Sequence, residues 1–225
     1  MHYSLENPNE HRNHGLRHNP FKALVAPRPV GWIGTVSRAG VPNLAPYSFF
    51  NAMSDTPPMV MFSSAGRKDS LTNIEETGEF TCSMAVEPLV DGMNLSSATV
   101  ASGVDEFRLA GLATASSLVV KPPRVAKSPS ALECRLWKTV ELPRVAEAEQ
   151  PYVVVFGLVV AIYIDEAFVK DGVVDTAAMR PLARMGYMDY TVVRPDTAFT
   201  LNRPVVSEDR RNASVQSGPW DGVYR

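Results

Sequence analysis

The sequence predicts a mainly β fold organised as an antiparallel barrel, and three observations carry that prediction. Phe80, Cys82, Met84 and Val86 alternate with Glu79, Thr81, Ser83 and Ala85, the period of a sheet with one wet face. Leu132, Cys134, Leu136, Val140 and Leu142 alternate in the same way with Glu133, Arg135, Trp137, Thr139 and Glu141. Helical pieces are few and short, and the strand-helix alternation that builds a parallel sheet is lacking.

In chain order, residues 1–20 are rich in Asn, His, Glu and Pro without periodicity and read as an N-terminal arm. Residues 21–193 read as one domain. Its first strand has Val30, Trp32 and Val36 on an apolar face and Gly31, Thr35 and Ser37 on a small or polar one. Arg38-Ala39-Gly40 signals a hairpin, and Val41 to Pro46 a second strand whose prolines place it at an edge or a strand end. Ala45 to Asn51 reads as a polar loop, ended by Pro57-Pro58, and Met59 to Phe62 as a buried strand with Ser63 and Ser64 at its polar end.

Asp69 or Ser70 is expected to cap a helix that Gly78 stops, with Thr72 and Glu75 at capping-box spacing as another start. Residues 88–111 read as two short helices, and Lys121-Pro122-Pro123-Arg124 as a stiff connector. Tyr152 to Ile164 is almost wholly apolar, so both faces should be covered, a second subunit being one way, with Gly157 as a bulge. From Arg194 the chain turns polar, and 194–225 reads as a C-terminal arm that packs on a partner subunit.

The totals bound the function. A chain of 225 residues with net charge −2 has no basic stripe for nucleic acid. No apolar run reaches the roughly 18 residues that span a bilayer, and the N-terminus is polar, so a soluble cytoplasmic protein is expected. Cys82 and Cys134 read as reduced core thiols. His2, His11, His14 and His18 all precede residue 19 and the body has none. A Ser-His-Asp triad, a Cys-His pair or a His-based zinc site is therefore excluded from the body unless the arm folds back to supply one. The spacing of His11, His14 and His18 would let three imidazoles share a helical face, but a solvated terminus is the plainer reading and no metal is expected. Demanding chemistry then falls to a cofactor.

Neither the dinucleotide fingerprint nor the P-loop spacing occurs. Gly66-Arg67-Lys68-Asp69-Ser70 instead offers a helix start with free amides, the Ser70 hydroxyl and two cations, which suits a monophosphate; a solvated loop capping a helix is the alternative. Ala45 to Asn51 sets Pro46, Tyr47, Phe49 and Phe50 beside the hydroxyl of Ser48 and the amide of Asn51, flat apolar surface with hydrogen-bonding groups. The residues themselves point to an aromatic phosphate ligand and no further.

The runs RPVGWIGTVS, GVPNLAPYSFFNAMSDTPPMVMFSS and RKDSLTNIEETGEF resemble, in order, the flavin reductase-like FMN-binding split-barrel family, close to its flavoredoxin group. DEFRLAGL, KPPRVAKSPSALECRL, FGLVVAIYID and PLARMGYMDYTVV continue the resemblance, which covers roughly residues 20–193. It implies a six-stranded Greek-key split barrel, a homodimer, and FMN between the protomers. Ala45, Pro46, Tyr47, Ser48 and Asn51 would lie along the flavin ring and ribityl chain, with Thr35 a candidate for the ring's polar edge. Lys68 and Ser70, with Ser63, Ser64 and Arg67 nearby, would hold the phosphate, and Arg184 and Tyr190 would close the site. The chain departs from the family pattern at Tyr163, where many relatives carry His, and near Leu158, where Glu is frequent; this leaves its use of a nicotinamide open.

The expected function is an FMN-dependent oxidoreductase taking hydride from NADH or NADPH and passing electrons to free flavin, a partner oxygenase or another redox protein. The flavin would carry the chemistry, with no catalytic side chain. Two alternatives are a flavoredoxin-like electron carrier without its own nicotinamide turnover and a non-catalytic split-barrel binding protein.

Overall fold

A computed structural model of the chain describes residues 1–144 and 149–223; the last two residues of the expected C-terminal arm lie outside them. Its main sheet consists of β1 (Gly31–Val36), β2 (Pro42–Tyr47), β3 (Phe50–Asp55), β4 (Pro58–Ala65), β5 (Glu79–Met84), β6 (Ser130–Glu141) and β7 (Tyr152–Ile164). They are joined antiparallel in the order β2-β1-β5-β6-β7-β4-β3. Among the described residues five short α-helices accompany them: α1 (Glu10–Asn13), α2 (Phe21–Leu24), α3 (Asp69–Thr77), α4 (Val90–Leu95) and α5 (Glu106–Leu109).

The main sheet has seven strands where six were expected. The additional strand is β3, taken from the sequence as loop. Phe50 and Asn51 pair with Phe62 and Met61, because β4 has a free edge beside them and an extended neighbour satisfies it. As the prolines indicated, β2 is an edge strand.

The sheet curls so that Tyr47 at the end of β2 packs on Phe62 of β4, ring centroids 4.6 Å apart, and Phe62 meets Phe80 edge-on at 5.8 Å. Leu71 and Ile74 of α3 plug this interior beside Ile33, Val60, Cys82, Cys134 and Val155. A second core, with Trp32, Leu44, Met93, Phe107, Val125 and Leu182, fills the outer side under α4 and α5. Burial pushes the Cys82 thiol well up, reinforced by Cys134 beside it, and both cysteines are free.

Period two was legible, but which face is wet was not always. Thr35 is fully buried, so β1 is covered on both sides. Glu133, read as wet, is buried: Oε1 accepts from the Leu118 amide (2.6 Å) and Oε2 from the amides of Val119 (2.6 Å) and Val120 (3.1 Å). The connector before β6 therefore uses a carboxylate to satisfy three backbone donors. At Gly157 the β6–β7 register shifts, and a Cβ there would lie 2.3 Å from Phe80 Cζ. The bulge and the glycine admit the Phe80 ring. Helix α3 begins one residue before the expected caps, with Lys68 at its N-cap, and ends at Gly78 in the left-handed region (φ 76°). Among the described residues no helix is long and apolar enough to cross a membrane.

Residues 1–20, expected as an arm, contact the rest of the chain. Tyr3 stacks on His14 at 4.9 Å, His11 is buried, and the His18 ring is 5.7 Å from that of Tyr187. Among the described residues no three metal-ligating side chains cluster.

Candidate functional site

A cavity of about 790 Å³ opens between β2, the end of β4, the start of α3, the loop after α4 and the 184–190 turn. Ten of the residues singled out in the sequence line it: Ala45, Pro46, Tyr47, Ser48, Ser63, Arg67, Lys68, Ser70, Arg184 and Tyr190. Three do not. Asn51 is exposed on β3 and its Oδ1 accepts from the Ala52 amide. Ser64 is buried and donates to the Gly66 carbonyl at 2.9 Å. Thr35 sits one layer behind, its Oγ1 accepting from Asn43 Nδ2 (3.1 Å) and Asn73 Nδ2 (3.0 Å).

That layer orients the wall. Asn43 lines the cavity, and its Nδ2 also donates to Ser70 Oγ at 2.9 Å. Thr35 thus acts on the cavity through Asn43, a residue the sequence reading passed over because an Asn on an edge strand carries no motif. Asp69 turns away from the helix start to accept from Ser102 Oγ (2.9 Å) and the Gly103 amide (3.1 Å), pinning the loop that follows α4. Its residues Ser96 to Val100 and Ser102 add small and hydroxylic groups to the wall.

Several polar groups here are poised for a ligand. No side chain caps the first turn of α3, so its amides face a position that favours an anion. Lys68 extends from the N-cap, while Arg67 is ion-paired with Glu75. The Tyr47 hydroxyl, Ser63 Oγ and Arg28 Nε are buried without a hydrogen-bond partner among the described residues, and all three side chains line this one cavity. Orphaned buried polar atoms are uncommon in folded proteins, and three around one cavity fit a ligand with several polar atoms. Burial pushes the Tyr47 phenol up; the hydroxyls of Ser70 and Ser64 oppose that from nearby, although neither completes a hydrogen bond of ordinary geometry. Burial likewise raises the Glu106 carboxyl above the usual range, against the Leu44 amide that donates to its Oε2 at 3.0 Å.

Arg28 and Lys22, which the sequence does not single out, add cations to another part of the wall. The Arg28 guanidinium is buried and donates to the carbonyls of Lys22, Val25 and Met185. It ties α2 to the 184–190 turn, where a Cβ on Gly186 would lie 2.7 Å from Ala23 Cβ. Tyr187 holds a left-handed backbone (φ 51°), its carbonyl taken by Arg184. A non-glycine residue in that region is held there by its surroundings. Tyr163 lies apart from the cavity, its ring 3.4 Å beneath the Arg124 guanidinium.

The comparisons agree with this architecture. The family model described as "Flavin reductase like domain" matches residues 24–183. An uncharacterized protein of Deinococcus radiodurans is 38% identical over 76% of this chain and 77% of its own length, and one of Aquifex aeolicus is 34% identical over 72% and 83%. Among solved structures, nitrilotriacetate monooxygenase component B from Bacillus cereus superposes with a TM-score of 0.79 at 27% identity, covering 89% of this chain and 98% of that one. Pseudomonas fluorescens 2-nitrobenzoate 2-nitroreductase gives 0.76 at 25% identity, covering 92% and all of its length. The flavoredoxin of Desulfovibrio vulgaris shares the fold, with a TM-score of 0.70 at 21% identity over 90% of this chain and 97% of its own. The family model and the structural neighbours support a split-barrel protein with a flavin-related oxidoreductase role, and the chain belongs to the flavin reductase-like family.

Proposed function

We propose that this chain is an FMN-dependent oxidoreductase that uses NADH or NADPH and delivers electrons to free flavin, a partner oxygenase or another redox protein. One observation carries the reading: the orphaned hydroxyls of Tyr47 and Ser63 and the uncapped start of α3 converge on one cavity. When bound, the flavin supplies hydride acceptance and electron transfer. Lys68, Ser70, Ser63 and Arg67 would hold its phosphate, and Ala45 to Ser48 would run along its ring and ribityl chain. Thr35 and Asn43 hold Ser70 in place for that role. Arg184 and Tyr190, with the guanidinium 4.4 Å over the ring, would close the mouth.

The name of the Bacillus cereus neighbour makes it one component of a monooxygenase, which supports a partner oxygenase as acceptor. A homodimer is part of the proposal, supported by the exposed Trp137 and Ile162 on β6 and β7. The C-terminal arm, with Phe199 and Leu201 exposed, would lie on the partner. Buried free thiols suit a cytoplasmic setting. A second reading, an electron carrier without nicotinamide turnover, draws support from Tyr163, which stacks with Arg124 and stands where the family resemblance leads one to expect a histidine.

The test is the visible spectrum of purified protein loaded with FMN, followed anaerobically after mixing with NADH or NADPH. Rapid bleaching of the flavin bands is expected. Retention of bound, oxidised FMN with both donors would favour the carrier, and failure to take up FMN would overturn the flavin reading altogether.

A further inference from the structure

The geometry points to a second anion subsite in the cavity, in which Lys22, Arg28 and Arg184 receive the carboxylate of a small aromatic acid whose ring lies against Phe49 and Tyr190. The inference rests on the flavin reading in assigning the cofactor phosphate to the start of α3, and it shares Arg184 and Tyr190 with the mouth of that site.

Four observations carry it. Lys22, Arg28 and Arg184 all line the cavity, and among the described residues none of them is in a salt bridge. Arg28 is only 7% exposed, yet its Nε has no partner. The Lys22 ammonium lies 5.9 Å and the Arg28 guanidinium 5.8 Å from the Phe49 ring centroid, and the Arg184 guanidinium 4.4 Å from that of Tyr190. The cavity, at about 790 Å³, lies in the upper part of the roughly 300–1,000 Å³ range of small-molecule pockets, which leaves room for a small second ligand.

Arg28 and Arg184 donate to backbone carbonyls, but cations near one another with no carboxylate partner are costly, and the cost is recovered when an anion arrives. Burial, and then Arg184, lower the Arg28 pKa, so its charge is held against desolvation and a like neighbour. A guanidinium binds carboxylate through paired N–H donors, and aromatic rings beside the cations supply flat apolar surface for the acid's ring. The cluster and the α3 start draw on separate segments of the wall, Lys22, Arg28 and Arg184 against Ser63 to Ser70.

The experiment is calorimetric titration of benzoate and of its neutral analogue benzamide into FMN-free and FMN-loaded protein. Benzoate is expected to bind about tenfold or more tighter than benzamide, the scale of a charge-assisted hydrogen bond. Lys22→Ala and Arg184→Gln should each remove most of that preference, leaving benzamide affinity as it was. Lys22→Ala should hold FMN within about twofold of wild type, a change too small for loss of a direct contact. Equal affinities for benzoate and benzamide in protein that holds FMN would overturn the subsite and leave the flavin reading standing. A large loss of FMN affinity in Lys22→Ala would also overturn it, by giving the cluster to the cofactor phosphate. Protein that prefers benzoate but takes up no FMN would support the subsite and sink the flavin reading instead.

Discussion

Ser63, Arg67, Lys68 and Ser70 reach the cavity from one continuous stretch, the end of β4 and the start of α3, whereas Lys22 and Arg28, near the start of the chain, are joined by Arg184 from far along it. The contact of Arg28 Nη2 with the Met185 carbonyl alone spans 157 positions. The first group is held by local backbone geometry: a strand end, a glycine turn and a helix start. The second is held by a buried guanidinium that ties α2 and the 184–190 turn together. A ligand site built locally tolerates loss of one side chain with its scaffold intact, while a site built on a tertiary clasp couples ligand binding to stability.

The largest effect that sharpens this contrast is expected at the clasp. Arg28→Ala removes the donor of three part-buried hydrogen bonds and the buried guanidinium that makes them, and should cost about 2–4 kcal/mol in urea unfolding, with Arg28→Lys recovering part of it. A loss below about 1 kcal/mol would show that the clasp does not hold the turn. Glu106→Gln should have a smaller effect, and one that depends on pH. The Glu106 carboxyl is raised in the folded protein, first by burial, so its stabilising contribution is present at low pH and lost as the pH climbs past the ordinary value of 4.5 through the raised one. Thermal melts should therefore find the variant and wild type alike in acid and the variant increasingly the more stable toward neutrality. A difference independent of pH would refute the shift.

The sequence was most readable where chemistry and neighbours are local. The strand from Phe80 to Met84, the glycine stop at Gly78, the bulge at Gly157 and the polar run from Ser63 to Ser70 all follow from spacing and turn chemistry. Thr35 was assigned to the right neighbourhood but the wrong layer, because periodicity gives a face and not a depth. Asn51 reads as loop in the sequence because the free edge of β4, which recruits β3, is set by strand order. Glu133 read as wet because its three amide partners lie 13 to 15 positions upstream in a connector without periodicity. Lys22 carries no signal beyond its charge and Arg28 only its place in the run RPVGWIGTVS; only the return of residues 184–190 onto α2 makes them part of the wall.

The most direct test of the account is an equilibrium titration of FMN, followed by quenching of its fluorescence, into wild-type protein and Lys68→Ala side by side. Wild type should bind stoichiometrically, and the variant should bind more weakly by about 1.5–3 kcal/mol, the range for a hydrogen bond to a charged group, while unfolding at the same urea concentration. Equal FMN affinity in the two proteins would contradict the assignment of the phosphate to the start of α3.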